Sequence, residues 1–464
     1  MSYTTKATYE YPQEPPADGD PEILYLNLDV INNNTNDSSP SQIDPNLRFN
    51  ETRDAAIIKN ASKYQFSIVR FTMNGPNFDL PILIPVVKIG QANPNLTEYE
   101  CAISYTQQFT TTDVGNITIT ATPAVSQLIY IPETQNQAIA PTPMPPITKQ
   151  DLAGGLSRYY WVYTYQHWVD LVNNTFQTAH AATFAAFQTA WTASGTADAF
   201  PYANIAAWEA VVGPAPRMTY DTASGLFSIW ASALSFTNNN GVQVPTTAPV
   251  APALNAPVRR LFFDSNMQGL FNNFSNYYWG GISGDAFAGA TPTPNGYINE
   301  ILFPNKEFQN LRQLAAPVPA AYQGIFWVAT QDFESTSSLW SPVGAITFVT
   351  TLLPIRPEAT GAPLFLGTGN LGYSSSSIQN AFQPILTDIS LDLTGDGADA
   401  YRRMIFYAPS AEYRMASLTP SNQPINAIDI SVFWKNRLTG ELFPIQLFNL
   451  SSVSVKCMFR RIRV

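Results

Sequence analysis

An antiparallel β-sandwich of the jelly-roll kind, carrying a helical insertion domain, is the fold this sequence predicts. Three observations predict it. Many short segments alternate apolar and polar residues with a period of two; turns rich in Pro and Gly (37 and 25 residues) separate them without a strand–helix–strand rhythm; and one central stretch switches to helical spacing. The periods differ because successive strand side chains point to opposite faces, while a helix returns to one face every three or four residues.

Taken in order, residues 1–21 hold Pro12, Pro15, Pro16 and Pro21 with no apolar period, which predicts an extended arm ordered only by a partner. Residues 22–149 supply the first part of the roll. Leu24, Leu26, Leu28 and Val30 alternate, as do Tyr64, Phe66 and Ile68, and then Tyr99, Cys101, Ile103 and Tyr105, with Asn-rich turns at 32–37 and 74–77.

After Pro141-Thr142-Pro143-Met144-Pro145-Pro146 the spacing becomes helical. Trp161, Tyr165, Trp168 and Val172 share one helix face, and Phe176, His180, Phe184, Phe187 and Trp191 continue it to Gly195. A second helix is expected over 201–212, with Pro201 in its first turn and Gly213-Pro214 as its stop. Arg217–Tyr220 and Leu226–Trp230 flank a turn at 221–225 as a hairpin does. Residues 150–255 are therefore expected to form the helical insertion domain.

Residues 256–464 return to strands and supply the second part of the roll. Ile389, Leu391 and Leu393 alternate, then Ile428, Ile430, Val432 and Trp434, then Val453, Val455, Cys457 and Phe459; residues 436–440 join two strands as a short hairpin. A double jelly roll, with one sandwich in each half, fits the same counts. The single roll is preferred because the helical middle leaves the first half short of eight strands.

Composition narrows the function. Only 12% of the 464 residues are charged, against about 25% in an ordinary soluble domain. Polarity comes instead from amides and hydroxyls, which partners can cover at lower desolvation cost than charges. The net charge of -10 and the lack of a basic arm argue against strong nucleic-acid binding. The two cysteines, Cys101 and Cys457, make no disulfide framework and no zinc motif. No apolar run is long enough for a membrane helix, and no signal core opens the chain.

Chemistry-bearing motifs are sparse. His167 and His180 have no Cys, Asp or Ser partner at triad-like spacing, and a Gly-x-Ser-x-Gly elbow is absent. Gly367-Thr368-Gly369-Asn370-Leu371-Gly372 satisfies a dinucleotide fingerprint but leads into a Ser run rather than a helix. Asp392-Leu393-Thr394-Gly395-Asp396-Gly397 begins like a calcium loop, yet the twelfth position is Arg403 where a bidentate Glu is needed. Asp332 and Glu334 are a carboxylate pair that nothing singles out. The expectation is no catalytic residue, no metal and no cofactor.

The last fifth of the chain carries a resemblance. Tyr407–Arg414, Pro424–Lys435, Gly440–Pro444 and Ser451–Arg461 resemble the C-terminal strands of jelly-roll capsid proteins, in particular penton-type minor capsid proteins of virophage-like and polinton-like DNA viruses. The resemblance implies a non-enzymatic icosahedral capsid subunit: a homopentameric vertex protein in the virion, made in the cytoplasm or nucleus of a host cell. A trimeric double jelly-roll major capsid protein is the competitor. A carbohydrate-binding attachment module is the alternative of another class, through aromatic loops such as Phe274–Trp279 and Tyr159–Trp161. The expected partners are further copies of the chain, neighbouring capsid proteins, and a host receptor or glycan. Tyr9 and Tyr11 on the arm, with Arg460, Arg461 and Arg463 at the densest positive run, are the candidate interface residues.

Overall fold

The computed structural model describes residues 21–32, 46–74, 80–88, 91–121, 125–132, 158–236, 257–278, 299–303, 311–315, 323–332, 340, 342–359, 382–390, 404–409, 414–418, 423–437, 440, 442–445, 447 and 451–462. In chain order the strands are β1 (Ile23–Asn32), β2 (Arg48–Thr52), β3 (Tyr64–Asn74), β4 (Leu96–Thr111), β5 (Gly115–Ala121), β6 (Ser126–Ile129), β7 (Arg217–Asp221) and β8 (Leu226–Ser232). They continue as β9 (Val258–Phe263), β10 (Asn276–Tyr278), β11 (Asn299–Ile301), β12 (Leu311–Leu314), β13 (Gly324–Thr330), β14 (Val343–Val349), β15 (Glu358–Ala359) and β16 (Phe382–Gln383). Last come β17 (Ile385–Ile389), β18 (Met404–Tyr407), β19 (Ala416–Ser417), β20 (Ala427–Asn436), β21 (Leu442–Pro444) and β22 (Ser451–Arg461). The helices are α1 (Tyr165–Ala193), α2 (Ile205–Val212) and α3 (Ser265–Leu270).

The chain divides into two compact units, 1–80 with 342–464, and 81–341. In the first, two antiparallel sheets run β1-β22-β3-β18 and β17-β14-β20-β2. Their eight principal strands obey one rule: β1 pairs β22, β2 pairs β20, β3 pairs β18 and β14 pairs β17, so that the first joins the eighth, the second the seventh, and so inward. A long antiparallel ribbon folded in this way and then rolled places β22 beside β3 and β14 beside β20, which is a jelly roll. Among the described residues it is one roll, closed from both ends of the chain, and not one roll per half.

The roll is held by its inward-facing residues. Phe66 packs edge-on against Phe459 at 5.0 Å, and Phe71 on β3 meets Phe348 on β14 in the opposite sheet, also at 5.0 Å. The alternation in β3 changes phase: Phe66 and Ile68 face inward, and then Phe71 and Met73 do. The register with β22 slips between Lys456 and Cys457, leaving Val69 as an extra residue; this bulge keeps both halves of the strand facing the core.

The second unit begins in the connection between β3 and β14, the third and fourth strands of the roll. It contains a sheet ordered β10-β11-β9-β4-β5, with β6 also on β4, and a sheet ordered β12-β13-β8-β7. Helix α1 packs on β4, β5, β6 and β7. Its apolar stripe meets aromatic partners there: Tyr99 against Trp168, Phe176 against Phe263, and Tyr105 against Phe187.

The expected boundaries of 22–149, 150–255 and 256–464 therefore differ from the observed units. The strand around Tyr99–Tyr105 alternates as expected, but its partner is β9, so it belongs to the second unit. Sequence periodicity reports a strand and is silent on its neighbour. Two helix starts also move. Trp161 precedes α1, because Val162 bridges Leu83 and Thr164 caps the helix by accepting from His167 N at 3.2 Å. Helix α2 begins at Ile205 rather than near Pro201, because Asn204 accepts from Ala207 N at 2.9 Å. The β7–β8 hairpin and the β20–β21 pairing are as expected.

Candidate assembly surface

The two chain ends of the roll come together at one corner. Glu22 O accepts from Arg461 N at 2.9 Å, Lys63 O accepts from Ile462 N at 2.8 Å, and Pro21 O accepts from the Tyr64 hydroxyl at 2.5 Å. Arg460 stands opposite Ile23 on one side and Gln65 on the other, and is exposed. Pro21 and Glu22, the first described residues, therefore lie beside the start of the basic run. Tyr9, Tyr11 and Arg463 lie outside the described residues.

The β1-β22-β3-β18 sheet exposes apolar side chains along both of its edges. On β1, Ile23, Tyr25 and Ile31 are 44%, 53% and 67% exposed, while Leu26 and Leu28 face the core. On β18, Phe406 is 61% exposed. The strands between them carry Ser452 and Ser454 on β22 beside Asn74 and Thr72 on β3, and then Lys456 opposite Arg70, with Lys456 reaching over the Tyr25 ring at 4.8 Å. Among the described residues β1 pairs with β22 alone, which makes it an edge strand of this sheet. Sequence reasoning missed Tyr25, Ile31 and Phe406. The signal was present in β1, where Ile23-Leu24-Tyr25-Leu26 is apolar on both phases of the alternation, more than a half-buried strand requires.

The second unit encloses a polar centre that sequence reasoning also missed. Arg259 on β9 is 1% exposed. Its guanidinium donates from Nε to Ser235 Oγ at 2.6 Å, from Nη1 to His180 Nδ1 at 2.9 Å, and from Nη2 to the carbonyls of Val212, Gly213 and Pro214 at 2.6, 3.1 and 3.1 Å. These carbonyls end α2, where a helix lacks internal donors and where its dipole favours a cation. The charge also lies over the Phe236 ring at 4.7 Å. Burial lowers Arg259 to about 9, with Glu209 and Tyr105 acting against the fall. Burial first, and the Arg259 charge second, hold His180 down to about 3, so its 3.0 Å contact with Glu209 Oε1 is a hydrogen bond from a neutral imidazole. Arg259 shares its strand face with Leu261 and Phe263, and a cation on the apolar phase is the clue the sequence carried.

Among the described residues the remaining candidates are not brought together into a catalytic arrangement. His167 Nε2 contacts the Ile131 carbonyl at 2.6 Å under the Tyr130 ring. Cys101 and Cys457 are free, buried thiols in different units, and burial pushes both well up. Tyr159, Tyr160, Trp161 and Phe274 are buried anchors rather than exposed stacking surfaces, whereas Tyr277 and Tyr278 are exposed. Asp332 is exposed. Glu334, Trp279, the 367–372 fingerprint and the 392–397 loop lie outside the described residues. Among the described residues no His, Cys, Asp or Glu cluster could hold a metal ion, and no helix is long and apolar enough to cross a membrane.

A jelly roll closed from both chain ends, interrupted by a large insertion and edged with exposed aromatic and aliphatic side chains, is an architecture that shell-forming structural subunits share with other β proteins. The sequence family described as Sputnik minor capsid protein V18/19 matches residues 24–461, and the chain belongs to that family. It is a structural capsid protein of the virion and not an enzyme. A chain of the Sputnik virophage structure determined by cryo-EM superposes with a TM-score of 0.62 at 20% identity, covering 95% of this chain and 98% of that one. The mavirus penton protein aligns at 12% identity with a TM-score of 0.49, covering 95% and 99%. A search of curated proteins returns no match.

Proposed function

We propose that this capsid protein is the vertex subunit of an icosahedral DNA virus, assembling as a homopentamer through the exposed faces and edges of the β1-β22-β3-β18 sheet. One observation carries the proposal: among the described residues the chain builds one roll, not two. A chain with a single roll fills one position per copy, which suits five identical places around a fivefold axis; two rolls per chain suit a trimer that imitates a sixfold environment. Tyr25, Ile31 and Phe406 serve as apolar anchors. Arg460 and Arg461, with Arg463, Tyr9 and Tyr11 of the adjoining segments, contact neighbouring shell proteins. The free buried thiols suit synthesis in a reducing host compartment.

Mass photometry of the purified chain at two concentrations tests the proposal. A species at five times the 51.0 kDa chain mass is expected. A species at three times that mass, or a monomer at every concentration, overturns it.

A further inference from the structure

The second unit holds a groove of about 480 Å³ that the capsid role does not use. Its size falls within the range of about 300–1,000 Å³ typical of small-molecule sites. The C-terminal end of α2 forms one wall, with Gln177 of α1 and the start of β13 opposite.

The lining joins two kinds of surface. Leu234, half exposed, with Pro214 and the largely buried Phe326 beneath them gives an apolar side. Glu209, Gln177 and Gln323 give a carboxylate and two amides, able between them to donate and accept. Glu209 is not a loose surface group. Arg259 donates to His180 Nδ1, which leaves the proton on Nε2, and that N–H donates to Glu209 Oε1 at 3.0 Å. A carboxylate fixed by a buried relay and still 36% exposed is pre-organised to meet a ligand.

The charge balance narrows the ligand. Among the described residues Glu209 is the one charged side chain lining the groove, and the Arg259 cation lies behind it through His180. The pair nearly cancels, so neither an ammonium nor a phosphate finds a net field to enter. A neutral ring with several hydroxyls on its rim and C–H bonds on its face matches both surfaces.

We propose that this groove binds a neutral saccharide ring, with hydroxyls on Glu209, Gln177 and Gln323 and its C–H face on Leu234 and Phe326. The site gives the assembled subunit a sugar-recognition surface within its insertion.

Saturation-transfer NMR on the full chain tests it, with the methyl glycosides of glucose, galactose, mannose and N-acetylglucosamine as probes and spermidine and inorganic phosphate as charged controls. At least one glycoside is expected to bind saturably, with affinity reduced about tenfold by Glu209→Gln, a loss of about 1.4 kcal/mol in binding, and reduced also by Gln323→Ala. Tyr277→Ser, away from the groove, is expected to leave it unchanged. Glu209→Gln retains the acceptor for His180; Gln323 is exposed, so its replacement reads the groove even if the first variant folds poorly. No response from any glycoside, saturation by spermidine or phosphate alone, or undiminished binding in both groove variants overturns the proposal. A pentamer that binds no sugar overturns this inference and leaves the vertex role standing; a sugar-binding monomer does the reverse.

Discussion

Arg259 Nη1 lies 2.9 Å from His180 Nδ1, and this one hydrogen bond ties β9 to α1, while Nη2 ties β9 to the end of α2 and Nε to Ser235 after β8. Replacing Arg259 with Met removes the donors to the Gly213 and Pro214 carbonyls, to Ser235 Oγ and to the imidazole, and one of the two donors to the Val212 carbonyl, which keeps Ser235 Oγ at 2.7 Å, in a largely buried site. Each buried group left unpaired costs about 1–3 kcal/mol. We therefore expect Arg259→Met to destabilise the second unit by roughly 3 kcal/mol or more, read as a lower urea midpoint. Arg259→Lys should recover little, because an ammonium cannot span the same fork of acceptors.

The same centre predicts an acid sensitivity. The folded state holds His180 down to about 3, below an unfolded value of about 6.5. Its contribution to stability is thus complete above about pH 6.5 and is lost as pH falls toward 3, by up to about 1.4 kcal/mol per pH unit. Glu209, raised by burial, acts oppositely: it takes up its proton more readily when folded, and so offsets part of the loss. Urea midpoints measured from pH 7 to pH 4 should fall for the native chain and fall less steeply for His180→Gln. Equal slopes would place the sensitivity elsewhere.

In the roll, Asp429 is completely buried and fastens β20 to the residues that follow β14. Its carboxylate accepts from the Thr350 and Thr351 hydroxyls at 2.8 and 2.7 Å and from Leu352 N at 2.8 Å, with Arg48 3.5 Å away. Burial pushes its pKa up, but the hydrogen bonds together outweigh it and hold the carboxyl below its ordinary value. The stabilisation is present above an unfolded pKa of about 3.9 and disappears as pH falls through the lower folded one. Asp429→Asn would aim an amide donor at donors and is expected to cost about 2–4 kcal/mol. Arg48→Ala, at an exposed position, should cost under about 1 kcal/mol. Guanidinium denaturation separates the two.

Truncation distinguishes the two units. Residues 150–255, the expected insertion, include α1, α2 and the β7–β8 hairpin, whose removal uncovers β4, β5 and β13. That deletion should yield insoluble protein. Joining Leu80 to Pro342 through a Gly/Ser linker removes the whole second unit and leaves all eight roll strands, so it should give soluble protein with a β-type circular dichroism spectrum and cooperative unfolding.

The surface anchors should affect assembly without affecting the fold. Tyr25→Ser with Phe406→Ser is expected to shift the native mass from pentamer toward monomer at the same concentration. The thermal midpoint of the monomer should change little, since exposed substitutions commonly cost about 0.5 kcal/mol or less.

By itself the sequence determined the local elements. Period-two segments became β1, β3, β20 and β22, the aromatic stripe became α1, and Asp221–Gly225 became a hairpin turn, because periodicity and turn chemistry act over a few residues. The amide-rich, charge-poor composition and the C-terminal strands pointed to a shell subunit, as family membership shows. The tertiary structure alone decided which strands share a sheet. The β4 strand reads like β3, yet pairs with β9 in a different unit, because pairing depends on surfaces brought together by chain closure over hundreds of residues. The same holds for Arg259, whose neighbours come from α1, α2 and the residues after β8, and for the meeting of Arg461 with Glu22 at the corner where the roll closes.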